Sequence, residues 1–253
     1  MIPYHLIDNL YAPNRKSPLH YDPCARMSIV LWGDLLERTG GTEVEAGAFS
    51  LVVKPQDVKH ANQYGQRGAR IFSVLFDSDQ LPDFLPKGDT YQWYHQGAQA
   101  PILRFIRQMQ APASDIPELL IELMGSLPEP LAVAEQNHPD WLVRIKEEID
   151  DCFTESIRVQ ALAEDAGVHP VHLARVFRKH YGCSVKEYVQ HLRLQQALDR
   201  LGSSSAPLSQ IAYTQGFSDQ AHFCRQLKKQ LQCTPGQVRA LLNDVSFVQD
   251  IGN

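Results

Sequence analysis

Leu162-Ala163-Glu164-Asp165-Ala166-Gly167-Val168-His169 is followed by His172-Leu173-Ala174-Arg175-Val176-Phe177-Arg178-Lys179 and then by Cys183-Ser184. The same pattern returns as Ile211-Ala212-Tyr213-Thr214-Gln215-Gly216-Phe217-Ser218, His222-Phe223-Cys224-Arg225-Gln226-Leu227-Lys228-Lys229 and Cys233-Thr234. Gly167 to Gly216 is a step of 49 and His172 to His222 a step of 50, so the second copy carries one extra turn residue. Each copy reads as a short helix, a turn and a second helix. Gly167 and Gly216 stand where the first helix must end and the chain reverse, a place that favours φ > 0. Ser218 is a good N-cap for the helix after its turn, and His169 a poorer one. Within those second helices Leu173, Val176 and Phe177 share one face, as do Phe223 and Leu227, the spacing of a buried stripe.

The opposite faces are basic and polar: Arg175, Arg178 and Lys179 in the first copy, Gln220, Arg225, Lys228 and Lys229 in the second. That pattern suits a helix lying in a DNA major groove, its N-terminal half reading bases and its basic residues holding phosphates. On this reading the DNA-contacting set is Val171, His172, Ala174, Arg175, Arg178 and Lys179, then Ser218, Gln220, Ala221, His222, Arg225, Lys228 and Lys229. Between the copies, Ser184 to Leu201 reads as one helix, with Val185, Val189, Leu192, Leu194, Leu198 and Leu201 apolar. At ~1.5 Å per residue it is roughly 27 Å long, against ~34–36 Å for one DNA turn. A rod of that length suits two recognition helices in successive major grooves. Gly202-Ser203-Ser204-Ser205-Ala206-Pro207 ends it, and Pro207 or Ser209 opens the next helix.

These residues resemble the AraC/XylS family of transcription regulators. The resemblance rests on Gly216-Phe217-Ser218-Asp219-Gln220-Ala221-His222-Phe223-Cys224-Arg225 with Thr234-Pro235, and on Phe177-Arg178-Lys179, Gly182, Tyr188, Arg193 and Ala197. It covers about residues 139–242. Ala221 stands where the family often has a hydroxyl, Gln232 where it has Gly, and Val238 where it has Tyr. The first departure removes one polar DNA contact; the other two touch packing.

The chain has 253 residues, enough for two domains. No run of 18 apolar residues and no basic start with an apolar stretch is visible, so neither a membrane span nor a secretion signal is expected, and the cytoplasm is the expected compartment. Five scattered Cys without a CxxC pair fit reduced thiols. The net charge of −5 is unevenly divided. Residues 1–137 carry 11 Lys+Arg against 16 Asp+Glu; residues 169–243 carry 10 Lys+Arg against Glu187, Asp199 and Asp219, a balance of +7. The positive charge sits where the repeat is, as DNA binding requires.

The N-terminal half alternates as strands do. Met27–Gly33, Phe49–Pro55 and Arg70–Phe76 are strand candidates, punctuated by Gly40, Gly41, Gly47, Gly65 and Gly68. Short strands with dense turn signals suggest a small β-barrel or sandwich. Pro55-Gln56-Asp57-Val58-Lys59-His60-Ala61-Asn62 resembles the second motif of cupin barrels, and AraC-type regulators often carry such a barrel as a sensor. Trp32, Phe49, His60, Tyr64 and Phe72 are the candidates for lining an effector pocket. A cupin metal centre needs a His-x-His pair and a Glu besides the later His. Here His20 stands alone with Asp22 where a second ligand would be, and Glu37 is distant, so neither a metal nor another cofactor is expected.

After Asp77 the alternation stops. Ile102, Phe105, Ile106 and Met109 mark one helix, Ile116, Leu119, Leu120 and Leu123 a second, either core or a dimer contact. Trp141, Leu142, Ile145 and Ile149 open the helix that leads the DNA-binding domain. The expected fold is α+β in several parts. A cupin-like β-barrel spans residues 1–97, a helical pair 98–127 and a linker 128–139. A domain with two helix-turn-helix units spans 140–243, and a tail 244–253. The expected partners are double-stranded DNA, a small-molecule effector, a second copy of the chain and RNA polymerase. No catalytic residue is expected. The competing readings are a metal-dependent cupin enzyme or metal sensor fused to a DNA-binding domain, and a regulator controlled by a protein partner. A DNA-repair methyl acceptor needs an N-terminal zinc-activated Cys cluster, where only Cys24 lies.

Overall fold

The computed structural model describes residues 4–76, 91–95, 97–111, 114–130 and 139–243. The middle of the expected linker, the expected tail and most of the stretch after Asp77 lie outside these residues. The strands are β1 (Tyr4–Tyr11), β2 (Lys16–Tyr21), β3 (Ala25–Thr39), β4 (Thr42–Ala46), β5 (Leu51–Lys54), β6 (Lys59–Phe76) and β7 (Gln92–Tyr94). The helices are α1 (Gln99–Met109), α2 (Ile116–Ser126), α3 (Asp140–Cys152), α4 (Val159–Asp165), α5 (Pro170–Tyr181), α6 (Val185–Ser203), α7 (Leu208–Thr214), α8 (Gln220–Leu231) and α9 (Pro235–Asn243).

The strands form one antiparallel sheet in the order β1-β6-β3-β5-β7, with β2 also on β6 and β4 also on β3. Two long strands organise it. The first part of β6 pairs with β2, its last eight residues pair with β1, and its other edge runs along β3. The β3 candidate Met27–Gly33 is therefore the middle of a longer strand. β1 escapes the sequence pattern because its residues are mostly half-buried on both faces, without the alternation of a strand that covers a core.

The β3–β6 register slips between Val30 and Trp32 and again between Gly33 and Leu35. A bulge adds a residue and resets which side chains share a face. Before the slips Ser28 and Val30 face the sheet's cavity; after them Leu35 and Glu37 do. The even-numbered alternation becomes odd-numbered, and Trp32 is turned off the cavity.

By contact density the chain divides into two compact units. One holds 1–132, 198–205 and 227–253; the other holds 133–197 and 206–226. In the second, Leu142, Ile145 and Ile149 of α3 pack with Leu162 and Ala163 of α4, Leu173 and Phe177 of α5, and Val185, Tyr188 and Val189 of α6. The apolar positions read at Leu142, Ile145 and Ile149 and at Leu173 and Phe177 are among these core residues; Val176 is only half-buried against them. In the first unit the α6 carboxylate Asp199 is buried, accepts the Gly33 N–H at 2.6 Å and pairs with Arg67.

The helix ends explain the repeat. Val168 N–H donates to the Ala163 carbonyl at 2.9 Å, and Phe217 N–H to the Ala212 carbonyl at 3.0 Å. Between them Gly167 and Gly216 sit at φ 67° and 76°. Ser184 and Glu187 cap α6 reciprocally: Ser184 N–H donates to Glu187 Oε2 at 2.8 Å, and Glu187 N–H to Ser184 Oγ at 3.3 Å. Thr234 and Gln237 repeat the device at the start of α9, at 2.8 and 3.3 Å. His169 caps α5 by accepting Val171 N–H on Nδ1 at 3.3 Å. For α8 the expected Ser218 is not the cap. Asp219 Oδ1 accepts His222 N–H at 2.6 Å, because the extra turn residue moves the helix start by one position.

Candidate functional site

Two surfaces carry the residues singled out in the sequence. The first is the solvent face of α5 and α8. In α5, Leu173 and Phe177 are fully buried while Val171, His172, Ala174, Arg175, Arg178 and Lys179 are exposed. Val171 is 68% exposed. In α8, Phe223 and Leu227 are fully buried, and Gln220, Ala221, Arg225, Lys228 and Lys229 are exposed, as is Ser218 in the turn before them.

Not all of these side chains are free to reach a groove. His222 is half-buried, and its Nδ1 lies 3.1 Å from Ser218 Oγ and 3.4 Å from Ser218 N. It braces the turn. His172 Nδ1 lies 3.5 Å from Arg175 Nη2, and its ring lies 5.7 Å from that of Trp141. Arg178 reaches Glu187 at 3.7 Å, a loose surface pair that a phosphate can displace. Hydrogen bonds from the cap hold the Asp219 carboxyl below the usual carboxylate range, so it stays ionised at the helix start.

The second surface is a cavity of about 220 Å³ lined from β1, β2, β3, β5, β6 and β7. His60 and Tyr64 line it. Trp32, Phe49 and Phe72 do not. Trp32 is displaced by the β3 bulges. Phe72 alternates with the cavity-facing Ile71 and Ser73, so it points into the opposite core, where it is 1% exposed. Phe49 sits before β5 at φ 61°, fully buried. An aromatic in a strand pattern reports burial, and only the register says on which face.

The cavity wall is mostly polar, which the aromatic expectation missed. Lys54 and Glu37 form a buried ion pair, 6% and 1% exposed. Burial pushes the Glu37 carboxyl up, and Lys54 opposes that. Asp22 Oδ1 pairs with Arg26 at 2.6 Å. Asp22 Oδ2, Glu37 Oε1, Asn62 Oδ1 and Trp93 Nε1 are buried with no hydrogen-bond partner among the described residues. Buried polar atoms in native proteins are nearly always satisfied. Several orphans around one cavity therefore mark a place for a polar guest or water.

His20 and His60 are cross-strand partners, with ring centroids 4.3 Å apart. Burial first, then the Lys54 charge, lower His60 to about 4, so the ring is neutral near pH 7. Its Nδ1 lies 3.1 Å from the Val58 carbonyl and 2.9 Å from the Tyr91 hydroxyl. Tyr91 precedes β7 and comes from outside every strand candidate, which left it unseen. None of the five cysteines is in a disulfide.

Two helix-turn-helix units, each with a buried apolar stripe behind an exposed basic face, define a DNA-binding class. Residues 162–241 match a family profile described as "Helix-turn-helix domain". The probable transcription factor PqrA of Proteus vulgaris is 36% identical over 85 residues, 34% of this chain and 70% of that protein. The HTH-type transcriptional regulator GlxA of Rhizobium meliloti is 36% identical over 103 residues, 41% of this chain. That match spans only 32% of GlxA's length. YijO of Escherichia coli, described as an uncharacterized HTH-type transcriptional regulator, is 24% identical over 231 residues, 85% of this chain and 80% of that protein. The chain belongs to the AraC/XylS family of DNA-binding transcription regulators. No helix among the described residues is long and apolar enough to cross a membrane.

Proposed function

We propose that the chain is a sequence-specific transcription regulator of the cytoplasm, controlled by a small polar effector in the N-terminal cavity. The observation that carries the DNA half is the equivalence of Arg175 and Arg225. They occupy the same point of two repeated helices, 50 positions apart, and both are exposed on the face opposite a fully buried stripe. An Arg there can bond bidentately to guanine, worth ~1–3 kcal/mol against a wrong base. Lys179, Lys228 and Lys229, one turn later, suit phosphates.

The orphaned polar atoms of the cavity support the effector half, since a guest would satisfy them. Residues 1–97 then act as the sensor and 140–243 as the DNA-binding part. The α1–α2 pair offers a surface to a second copy, with Ile121 57% exposed on α2. RNA polymerase is the further partner that such a regulator addresses.

The experiment is footprinting of the full chain on DNA fragments it selects from a random pool. Arg225→Ala should relax base preference in one half of the protected site and Arg175→Ala in the other. Unchanged preference in both halves refutes the assignment of the two arginines as base readers.

A further inference from the structure

His20 and Asp22 lie on and just after β2, with one residue between them, and His60 is the β6 partner of His20 across the sheet. One ligand-capable atom from each of the three lies within 4.8 Å of the others. His60 Nε2 and Asp22 Oδ2 are 3.6 Å apart. Ligands bound at ~2.0–2.2 Å to one ion stand ~3–3.5 Å from each other, so small side-chain rotations would close the set.

The hydrogen bonds around the cluster prepare it for a cation. His20 Nδ1 lies 2.7 Å from the Pro18 carbonyl, and His60 Nδ1 lies 3.1 Å from the Val58 carbonyl. A carbonyl only accepts, so the tautomer with Nδ1–H and an Nε2 lone pair suits both rings; the Tyr91 hydroxyl, 2.9 Å from His60 Nδ1, fits it by donating to the Val58 carbonyl at 3.3 Å. A backbone acceptor behind the ring is the usual outer support of a metal-binding imidazole. Asp22 is 8% exposed; Arg26 occupies its Oδ1, while Oδ2 has no hydrogen-bond partner among the described residues. One nitrogen from each imidazole and an unpaired carboxylate oxygen thus lie together.

We propose that His20, Asp22 and His60 bind a divalent first-row transition-metal ion on the cavity wall. Two imidazoles and one carboxylate favour Zn²⁺, Co²⁺, Ni²⁺ or Fe²⁺ over Mg²⁺ or Ca²⁺. Three protein ligands leave coordination positions open to water or an effector donor. The positive charge of Arg26 on the far oxygen weakens the site, as befits a metal that comes and goes. The proposal rests on reading the cavity as the sensor and gives that sensor its ligand class. It reverses the sequence-based expectation, which lacked the strand register that brings residues 20 and 60 together.

The test uses the untagged full chain, stripped with a chelator and desalted. It is titrated by calorimetry with Co²⁺, Zn²⁺ and Mg²⁺, and visible absorption follows the cobalt. The expected result is one Co²⁺ or Zn²⁺ per chain, cobalt d–d bands, and no uptake of Mg²⁺. Binding should weaken by about tenfold or more in His20→Ala and in Asp22→Asn, at least the loss seen when outer-shell partners are removed. His20 is half-exposed and Asn is nearly isosteric with Asp, so both variants should fold; their metal-free melting temperatures check that. No saturable uptake, or equal affinity in the wild type and both variants, overturns the site. Retention of the selected DNA is measured on the same samples. A chain that retains DNA and takes up no metal overturns this site alone. A chain that takes up one ion and retains no DNA sinks the regulator reading and leaves the metal site standing.

Discussion

Gly167→Ala and Gly216→Ala are the same substitution at the same point of two repeated turns, and they should differ sharply in cost. Both residues have φ near +70°, at 67° and 76°. An Ala held there pays roughly 1–2 kcal/mol of backbone strain. Part is returned, ~0.4–1 kcal/mol, because Ala also restricts the unfolded chain. At Gly167 an added Cβ meets nothing within 4 Å, so the net loss should be roughly 0–1.6 kcal/mol. At Gly216 it would stand 2.5 Å from the Thr154 carbonyl oxygen and 2.7 Å from Thr154 Cα. These are backbone atoms, and they are held. Arg193 of α6 donates from Nε to the Phe153 carbonyl at 2.7 Å and from Nη2 to the Glu155 carbonyl at 2.6 Å, gripping the chain on both sides of Thr154. Forcing extra volume into such a contact costs a further ~1–3 kcal/mol. Hydrogen exchange on the full chain, read in peptides from 154–166 and 208–226, separates the two turns. Since ~1.4 kcal/mol is tenfold, protection in Gly216→Ala should fall roughly 5- to 150-fold further than in Gly167→Ala. Adding Arg193→Ala should shrink the gap, because the loop could then yield. Equal losses in the two variants would refute the argument from Thr154.

Three further outcomes are expected. Inserting five base pairs between the two halves of the footprint should abolish tight binding, because α6, 19 residues and ~29 Å long, cannot re-phase two recognition helices by half a turn; retained affinity refutes the rigid-rod reading. Burial lowers His95 to about 4 from an ordinary 6.5, so the unfolded chain takes up the proton first. The His95 contribution should be complete above about pH 6.5 and decline as pH falls toward 4, by at most ~3 kcal/mol; the His95 ring stacks on Trp93 with centroids 5.4 Å apart, so His95→Phe, which can keep that stack, should flatten the slope in urea unfolding, and an unchanged slope refutes it. Gln232 ends α8 at φ 56°, the place Gly182 fills after α5; Gln232→Gly should relieve ~1–2 kcal/mol of strain against ~0.4–1 kcal/mol for a freer unfolded chain, a small net rise in melting temperature, and a clear fall refutes the strain argument.

The helical third was legible because its signals are local. Leu173 and Phe177, or Phe223 and Leu227, lie one turn apart, and caps and turn glycines sit within four residues of the groups they serve. Even there the cap of α8 was misassigned to Ser218, because one extra turn residue moves the geometry without changing the composition. The cavity was less legible for a physical reason. A strand's face is decided by register, and His20 meets His60 through pairing across 40 positions. Trp32, Phe49 and Phe72 carry the correct hydrophobicity for a sheet, but a bulge, a left-handed residue and an odd-numbered neighbour place them elsewhere. Trp93 reaches the cavity from a three-residue strand beyond a long break in the alternation, and Tyr91, just before that strand, reaches His60; no periodicity could announce either.

The doubled slip in β3 makes the cavity depend on how many residues the chain counts there, as well as on what they are. Removing one residue between Val30 and Leu35 would send Leu35 and Glu37 outward and turn the wall inside out, while every side chain that forms the wall stayed in the sequence. Substitutions at the wall can retune a guest in small steps. A single-codon deletion at the slip would erase the chamber at once, so in drifting relatives a change of length at this point should matter more than a change of letter.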